Sequence, residues 1–353
     1  MIKKIHLKNF RRFDDLVLDV QSPLLILSGR NAAGKTTVLE AIYLCSTSKS
    51  HRTNELNELI TAGREYAVCE IEASKRLKMI LFAQGKSLFI NQREISKLSD
   101  FIGNLQVVMF SPYDLRLIQG SKAERRRFLD MELSLLDKSY LRASAAYKRL
   151  LKERNDLLKT QNIDMKYLDV LTRQLIEVLD ILYRKRVEFI YELNTYLRQI
   201  SSDMQIEEIR LEYEKTYGED IYASFKAKEK TDILTRVTSI GSHRDDFRIF
   251  IDNLDAGAYA SEGQIRTICI AIKLAVKEYI TFKTNEEPVL LLDDVFAALD
   301  KNRIESLTKY VKRSRQTFIT TTSILEIPDE LLKNASVLRI DSYKKEIQDG
   351  KQQ

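Results

Sequence analysis

Leu24-Leu25-Ile26-Leu27-Ser28 runs directly into Gly29-Arg30-Asn31-Ala32-Ala33-Gly34-Lys35-Thr36-Thr37, and apolar residues return from Val38 to Leu44. A short unbroken apolar run bounded by glycine reads as a buried strand, and the apolar stretch after the second glycine reads as a helix. Strand, glycine loop and helix in that order is the context in which G-x-x-x-x-G-K-T binds phosphate. Gly29 and Gly34 let the backbone curl so that successive amides and the new helix N-terminus point at the phosphates. Lys35 adds a point charge at the β- and γ-phosphates, and the Thr36 hydroxyl suits Mg²⁺. Gly29, Arg30, Asn31, Ala32, Ala33, Gly34, Lys35, Thr36 and Thr37 are therefore the candidate nucleotide-binding residues. A chance glycine turn before a helix is the bland alternative, and the apolar strand and helix on either side weigh against it.

Two further stretches gain meaning from that loop. Pro288-Val289-Leu290-Leu291-Leu292-Asp293-Asp294 is a second apolar strand that releases two carboxylates at its carboxyl end. Asp293 can hold a metal directly or through water, together with Thr36, while Asp294 can polarise an attacking water. Ser261-Glu262-Gly263-Gln264 opens the apolar helix before that strand. It reads as a capping box with Ser261 as N-cap and Gln264 reaching back. Ser261 and Gly263 at a helix start also form a phosphate-facing surface, and the chain already has one loop for its own nucleotide. A second anion site then points to a nucleotide brought by another subunit.

At ~150 residues per domain, 353 residues make two domains or one domain with a large insertion. With 44% apolar and 31% charged residues and only 4 Pro, the chain is globular and helix-rich, not disordered or fibrous. Cys45, Cys69 and Cys269 are odd in number and far apart, which excludes a disulfide framework and a cysteine zinc module. Met1 to Phe13 is basic, but Asp14, Asp15 and Asp19 interrupt any signal-peptide core, so a cytoplasmic protein without membrane contact is expected. A net charge of +6 permits contact with a polyanion without demonstrating it. Arg125 to Arg127, Lys148-Arg149-Lys152, Arg184-Lys185-Arg186 and Lys312-Arg313-Arg315 are basic clusters whose default reading is a solvated face paired with Glu neighbours. Tyr140, Tyr147 and Tyr167 sit at helical spacing and read as core or cover before base-stacking. His51 and His243 lack companions at metal-ligand spacing, and Cys269 reads as a small buried hydrophobe.

Strand-like runs fill the first third: Ile2 to Leu7, Leu16 to Val20, Leu24 to Leu27, Ala67 to Ala73, Leu77 to Phe82 and Val107 to Phe110. From Ala123 to Leu197 leucines recur every three or four residues among Lys, Arg and Glu without a sustained heptad, which predicts packed helices and no long coiled coil. After Ser239 strands Phe247 to Ile251, Val289 to Leu292 and Thr317 to Thr320 alternate with helices Gln264 to Phe282 and Lys301 to Arg313, the rhythm of a parallel α/β sheet. The expected architecture is α/β, with one split domain (1–120 and 236–353) interrupted by a helical arm (121–235). The polar end, Tyr343 to Gln353, is expected to fray.

Ser261 to Gln264 before a helix, the strand ending in Asp293-Asp294, and then Ala298-Leu299-Asp300 resemble the signature, Walker B and D-loop sequences of ABC-type ATPases. Within that group the chain resembles the RecF family of bacterial recombination mediators over nearly its whole length. The matching stretches are Asn9-Phe10-Arg11, Gly29 to Thr36, Ser50-His51-Arg52, Phe110-Ser111-Pro112 with Asp114-Leu115, Arg125 to Asp130 and His243 to Asp246. Tyr113, Lys122, Ser242 and Ala297 depart from the family pattern. The resemblance implies an ABC-type ATPase head with an inserted helical lobe, binding ATP and Mg²⁺. It implies a head-to-head, ATP-dependent homodimer in which each nucleotide meets the partner's Ser261, Gly263 and Gln264, giving Lys35, Asp294 and Ser261 catalytic parts. It also implies binding of gapped, single- and double-stranded DNA, cooperation with RecR- and RecO-like proteins in loading recombinase, and slow DNA-stimulated hydrolysis. Slow turnover agrees with Thr321-Thr322-Ser323, which lacks the switch histidine of transporter ATPases. A transporter ATPase subunit is disfavoured by that lack and by the 258 positions, with a helical insertion, between Lys35 and Asp293. An SMC-like structural ATPase would need a long heptad arm. A self-contained P-loop kinase leaves Ser261 to Gln264 unexplained.

Overall fold

A computed structural model describes residues 1–341, and the expected frayed end, Tyr343 to Gln353, lies outside the described residues. The chain forms two compact units. The first is made of Met1–Leu115, Ser202–Ile206 and the residues from Glu262 on, and the second of Arg116–Ser201 and Glu207–Ser261.

The strands in chain order are β1 (Lys4–Phe10), β2 (Phe13–Asp19), β3 (Leu24–Ser28), β4 (Tyr66–Glu72), β5 (Arg76–Phe82), β6 (Gly85–Ile90) and β7 (Arg93–Ile95). They continue with β8 (Val107–Phe110), β9 (Ile209–Glu214), β10 (Asp246–Ile251), β11 (Leu254–Asp255), β12 (Val289–Asp293), β13 (Thr317–Thr321) and β14 (Ser336–Arg339). Helices of thirteen residues or more among the described residues are α1 (Lys35–Thr47), α2 (Lys122–Leu136), α3 (Lys138–Leu158), α4 (Met165–Met204), α5 (Ile221–Thr235), α6 (Glu262–Thr284) and α7 (Lys301–Arg313). None of the described helices is long and apolar enough to cross a membrane.

In the first unit a parallel sheet of order β14-β3-β13-β12-β8 faces an antiparallel sheet of order β2-β1-β4-β5-β6-β7, with α1 touching strands of both. Strands β3, β8, β12 and β13 are buried at every residue, which is why β3, β8 and β12 read as apolar runs and not as alternating ones. The antiparallel strand β5 alternates buried and partly exposed residues because one of its faces is open. Every residue of α1 except Thr36 is buried, as a helix covered on two sides requires.

The second unit corrects two expectations. Asp246–Ile251 does not join the parallel sheet: β10 pairs antiparallel with β9 and β11 in a separate three-stranded sheet. That pairing draws 236–261 into the helical unit, so the break in the chain falls at 261/262 and not at 235/236, and the earlier one at 115/116. On α4 the buried residues Leu168, Leu171, Leu175, Leu179, Leu182, Arg186, Phe189, Leu193 and Leu197 follow one another in steps of three and four. Such a stripe tracks a straight helix face and forms no supercoil seam.

Candidate active site

The carboxyl ends of three parallel strands converge. Thr320 of β13 lies opposite both Leu27 of β3 and Asp293 of β12, so the glycine loop, the carboxylate pair and the Thr321–Ser323 turn leave the sheet side by side. This is the crevice position at which open α/β sheets bind ligands. A cavity of about 620 Å³ opens there. Its lining comprises Asn31 to Thr37, Asp293, Asp294, Thr320, Thr322, Arg11, Arg12, Arg52 and Glu58.

Gly34 has φ 107° and leads into α1. A Cβ there would lie 2.4 Å from Cζ of Phe13, so both backbone and neighbour demand glycine. Lys35 Nζ donates to the carbonyls of Gly29 (2.7 Å) and Arg30 (3.0 Å), which keeps the ammonium inside the curve of its own loop. Burial lowers the Lys35 pKa, and the carboxylates of Asp294, Asp341 and Asp293 work against that shift. The first N–H groups of α1 have no acceptor within the helix, which leaves them for a phosphate.

Asp293 is buried, and its Oδ1 accepts from Thr36 Oγ1 (2.8 Å) and Thr320 Oγ1 (2.7 Å). Burial raises its pKa, the neighbouring Asp294 carboxylate adds to the rise, and the two hydroxyl bonds oppose it. Asp294 turns away from the strand in the left-handed region (φ 54°), with its N–H donating to Thr320 Oγ1 at 2.9 Å. One threonine hydroxyl therefore orients both carboxylate residues. A hydroxyl and a carboxylate beside a phosphate loop form an all-oxygen donor set that fits Mg²⁺ shared with phosphate oxygens. Among the described residues no group of three His, Cys, Asp or Glu could hold a metal on its own.

Residues that the sequence left unread complete the site. Glu40, fully buried on α1, accepts from Arg11 Nε (3.0 Å) and Nη2 (2.7 Å), Ser50 Oγ (2.5 Å) and Arg52 Nη1 (3.4 Å). The Asn9-Phe10-Arg11 and Ser50-His51-Arg52 stretches thus meet at one carboxylate. His51 packs edge-on against Tyr43 and Tyr113, neither ring nitrogen has a hydrogen-bond partner among the described residues, and burial lowers its pKa to about 4. Asp341 Oδ2 accepts the Arg30 N–H at 3.0 Å and would lie 2.9 Å from a Cβ added at Gly29. The polar residues ending the apolar β13 run were the available signal for Thr320. Glu40 and Asp341 carried none.

Ser261 is exposed directly ahead of α6, and Gly263 and Gln264 occupy the first turn of that helix. Gly263 and Gln264 do not line the cavity, although Lys35, Thr36, Asp293 and Asp294 do. A Cβ on Gly263 would lie 3.5 Å from Arg303 Nη1, and Asp300, the N-cap of α7, binds Arg303 through its backbone N–H (3.1 Å) and its guanidinium (3.2 Å).

The basic clusters of the second unit are paired as expected, but with aspartates in place of glutamates, and Arg186 is not on a solvated face. Arg125 pairs with both oxygens of Asp246 (2.8 and 3.0 Å), and Arg126 donates to the Asp245 carbonyl (2.9 Å). Lys148 pairs with Asp130, Arg184 with Asp180 and Lys185 with Asp137. Arg186 is buried on Asp130, the Tyr140 and Tyr213 hydroxyls and the Ser242 carbonyl. His243 bridges the Tyr147 hydroxyl and the Thr238 carbonyl, both at 2.9 Å. Tyr140 and Tyr147 are core residues, whereas Tyr167 is exposed and donates to Glu153. Cys269 is buried with its thiol against the Asp114 carbonyl.

The family model described as RecF/RecN/SMC N terminal domain matches residues 1–340. The DNA replication and repair protein RecF of Acholeplasma laidlawii is 41% identical over 325 residues, covering 91% of this chain and 93% of that protein. The chain belongs to the RecF family. A solved RecF, described as the recombination mediator protein RecF-ATP in the RecFOR pathway, superposes with a TM-score of 0.87 at 28% identity, covering 96% of each chain. The Smc head domain of Pyrococcus furiosus superposes with a TM-score of 0.54 at 15% identity, a likeness of fold alone. The RecF family assignment fits the ABC-type head with its inserted helical unit.

Proposed function

We propose that the chain is an ATP-driven switch of recombinational DNA repair, binding ATP at the glycine loop and dimerising head to head on gapped or junction DNA. The observation that carries the reading is the meeting of Thr36, Asp293 and Thr320 beside the Lys35 loop, in a chain 41% identical to a DNA replication and repair protein. Gly29 to Thr37 would bind the phosphates, with Lys35 leaving its two carbonyls for the β- and γ-oxygens. Mg²⁺, held by Thr36 and Asp293, would offset charge on those oxygens. Asp294, turned into the cavity by its left-handed backbone, is the group that polarises the attacking water. Ser261, Gly263 and Gln264, at the start of α6, meet the nucleotide of a second copy. Hydrolysis is slow because no histidine stands at Thr321 to Ser323, and it resets DNA binding. RecR- and RecO-like proteins are the partners in loading recombinase. The SMC-like reading rests on fold alone, and the described helices form no long coiled-coil arm.

Ser261→Arg tests the composite site. A bulky side chain at a helix start that must approach a γ-phosphate excludes it sterically, and losing an N-cap costs only about 1 kcal/mol. Sedimentation should show near-normal ATP binding by the monomer and no ATP-dependent dimer. Mixing with Lys35→Met protein should restore one working site. An undiminished dimer would reduce Ser261 to a helix cap.

A further inference from the structure

The turn between β1 and β2 places two arginines side by side with opposite fates. Phe10 and Phe13 pair across it, leaving Arg11 and Arg12 as a two-residue tip. Arg11 is fully engaged: its guanidinium grips both oxygens of Glu40 and donates to the Glu58 carbonyl at 2.7 Å. Arg12 takes no hydrogen bond and no ion pair among the described residues, and its Nε–H is shut off from solvent without an acceptor. Its side chain lines the nucleotide cavity, and its Cδ lies 3.0 Å from where a Cβ on Gly34 would stand.

A buried guanidinium N–H with no acceptor is among the more costly groups a fold can keep, and a charged donor gains most from an anionic acceptor. We infer that Arg12 is a phosphate-binding residue of the nucleotide site, donating to the polyphosphate chain where it passes Gly34. The inference rests on the nucleotide reading above and adds a recognition residue to it. Gly34 and the first turn of α1 are the parts of the loop that present amides to phosphate, so phosphate oxygens are the acceptors that reach this point. A base stacked on the guanidinium face would leave the buried Nε–H as unsatisfied as before. Glu58, the cavity carboxylate nearest in the chain, is instead within 4.0 Å of Arg11.

The test is equilibrium binding of ATP, ADP and inorganic tripolyphosphate to the full chain, wild type against Arg12→Gln and Arg12→Lys, with thermal denaturation of each. Arg12→Gln should weaken all three ligands in parallel by about tenfold to a hundredfold. Arg12→Lys should recover part of the loss, and the melting temperatures should stay within a few degrees of wild type. Loss of ATP and ADP affinity with tripolyphosphate unchanged would assign Arg12 to the base and overturn the inference, as would unchanged affinity for all three. A wild-type chain that binds none of them, or a Lys35→Met chain that binds them as wild type does, would instead sink the nucleotide reading itself.

Discussion

Two clusters of charged side chains, one around Asp293 and Arg12 in the first unit and one around Asp245 and Arg154 in the second, differ in how far protein meets them. Asp245 is fully buried and accepts from the Tyr213 hydroxyl, the Thr216 N–H and hydroxyl and the Tyr217 hydroxyl. Arg154, also buried, donates to Asp232 (2.9 Å), Thr238 (2.7 Å) and Thr172 (3.1 Å). Both buried charges there are met by protein groups. Around the nucleotide loop, both hydroxyls on Asp293 fall on Oδ1 and none on Oδ2 among the described residues, Lys35 is bonded only to carbonyls, and the Arg12 Nε–H has nothing. A saturated network fixes a fold. An unsaturated one keeps donors and acceptors for something that is not protein.

The comparison breaks most readily at Lys35. Lys35→Met should reduce ATP affinity by roughly a hundredfold or more while changing stability by no more than about 1 kcal/mol. A fluorescent-nucleotide titration beside a denaturant melt reads both, and an unchanged affinity would put the loop on the structural side. The reciprocal substitution belongs to the second unit. Asp232→Ala strands the Arg154 guanidinium and frees the Ser239 N–H, so stability should fall by about 3–5 kcal/mol with ATP affinity intact. Weakened ATP binding at wild-type stability would reverse the contrast.

A smaller effect sharpens it through pH. The Asp293 carboxyl has its pKa raised by burial, and a cation needs the ionised form. Mg²⁺-dependent ATP affinity should therefore begin to fall, as pH is lowered from ~7, at a higher pH than an ordinary carboxylate of pKa ~3.9 would allow, by at most about tenfold per pH unit. Stability of the free protein moves the other way. The folded state holds this proton more tightly than the unfolded chain, so acidification through the raised pKa favours folding at this residue. Asp293→Asn should flatten the Mg²⁺-linked slope, and a slope that persists would assign it to another group.

Much of this was legible because the informative stretches are local. β3 with its loop, β8, β12 and α7 lie at or within one residue of their expected bounds, since fully buried parallel strands and a helix with Asp300 at its start advertise themselves. β6, β7 and β9 escaped notice because Gly85-Lys86-Ser87, Arg93-Glu94 and the charged alternation of Ile209 to Glu214 carry little apolar weight on half-open sheets. Asp246–Ile251 is apolar enough to read as a strand, but its partner is chosen by tertiary contact, and the wrong sheet followed. Glu40, Thr320 and Asp341 act on residues 29, 27 and 311 positions away, and no spacing rule reaches that far.

The neighbours of β3 give the protein an order of assembly. The strand that carries the nucleotide loop ends at Ser28, yet in the sheet it lies between β13 and β14, whose residues run from Thr317 to Arg339. On the ribosome those two strands emerge about three hundred residues later, so β3 must wait through synthesis of the whole helical unit with both edges unpaired. The antiparallel hairpins around it close early, but the loop gains its flanking strands, and the Asp341 carboxylate on its Arg30 amide, only after the helical unit has been made. The capacity to bind nucleotide is thus postponed until the last strand has arrived.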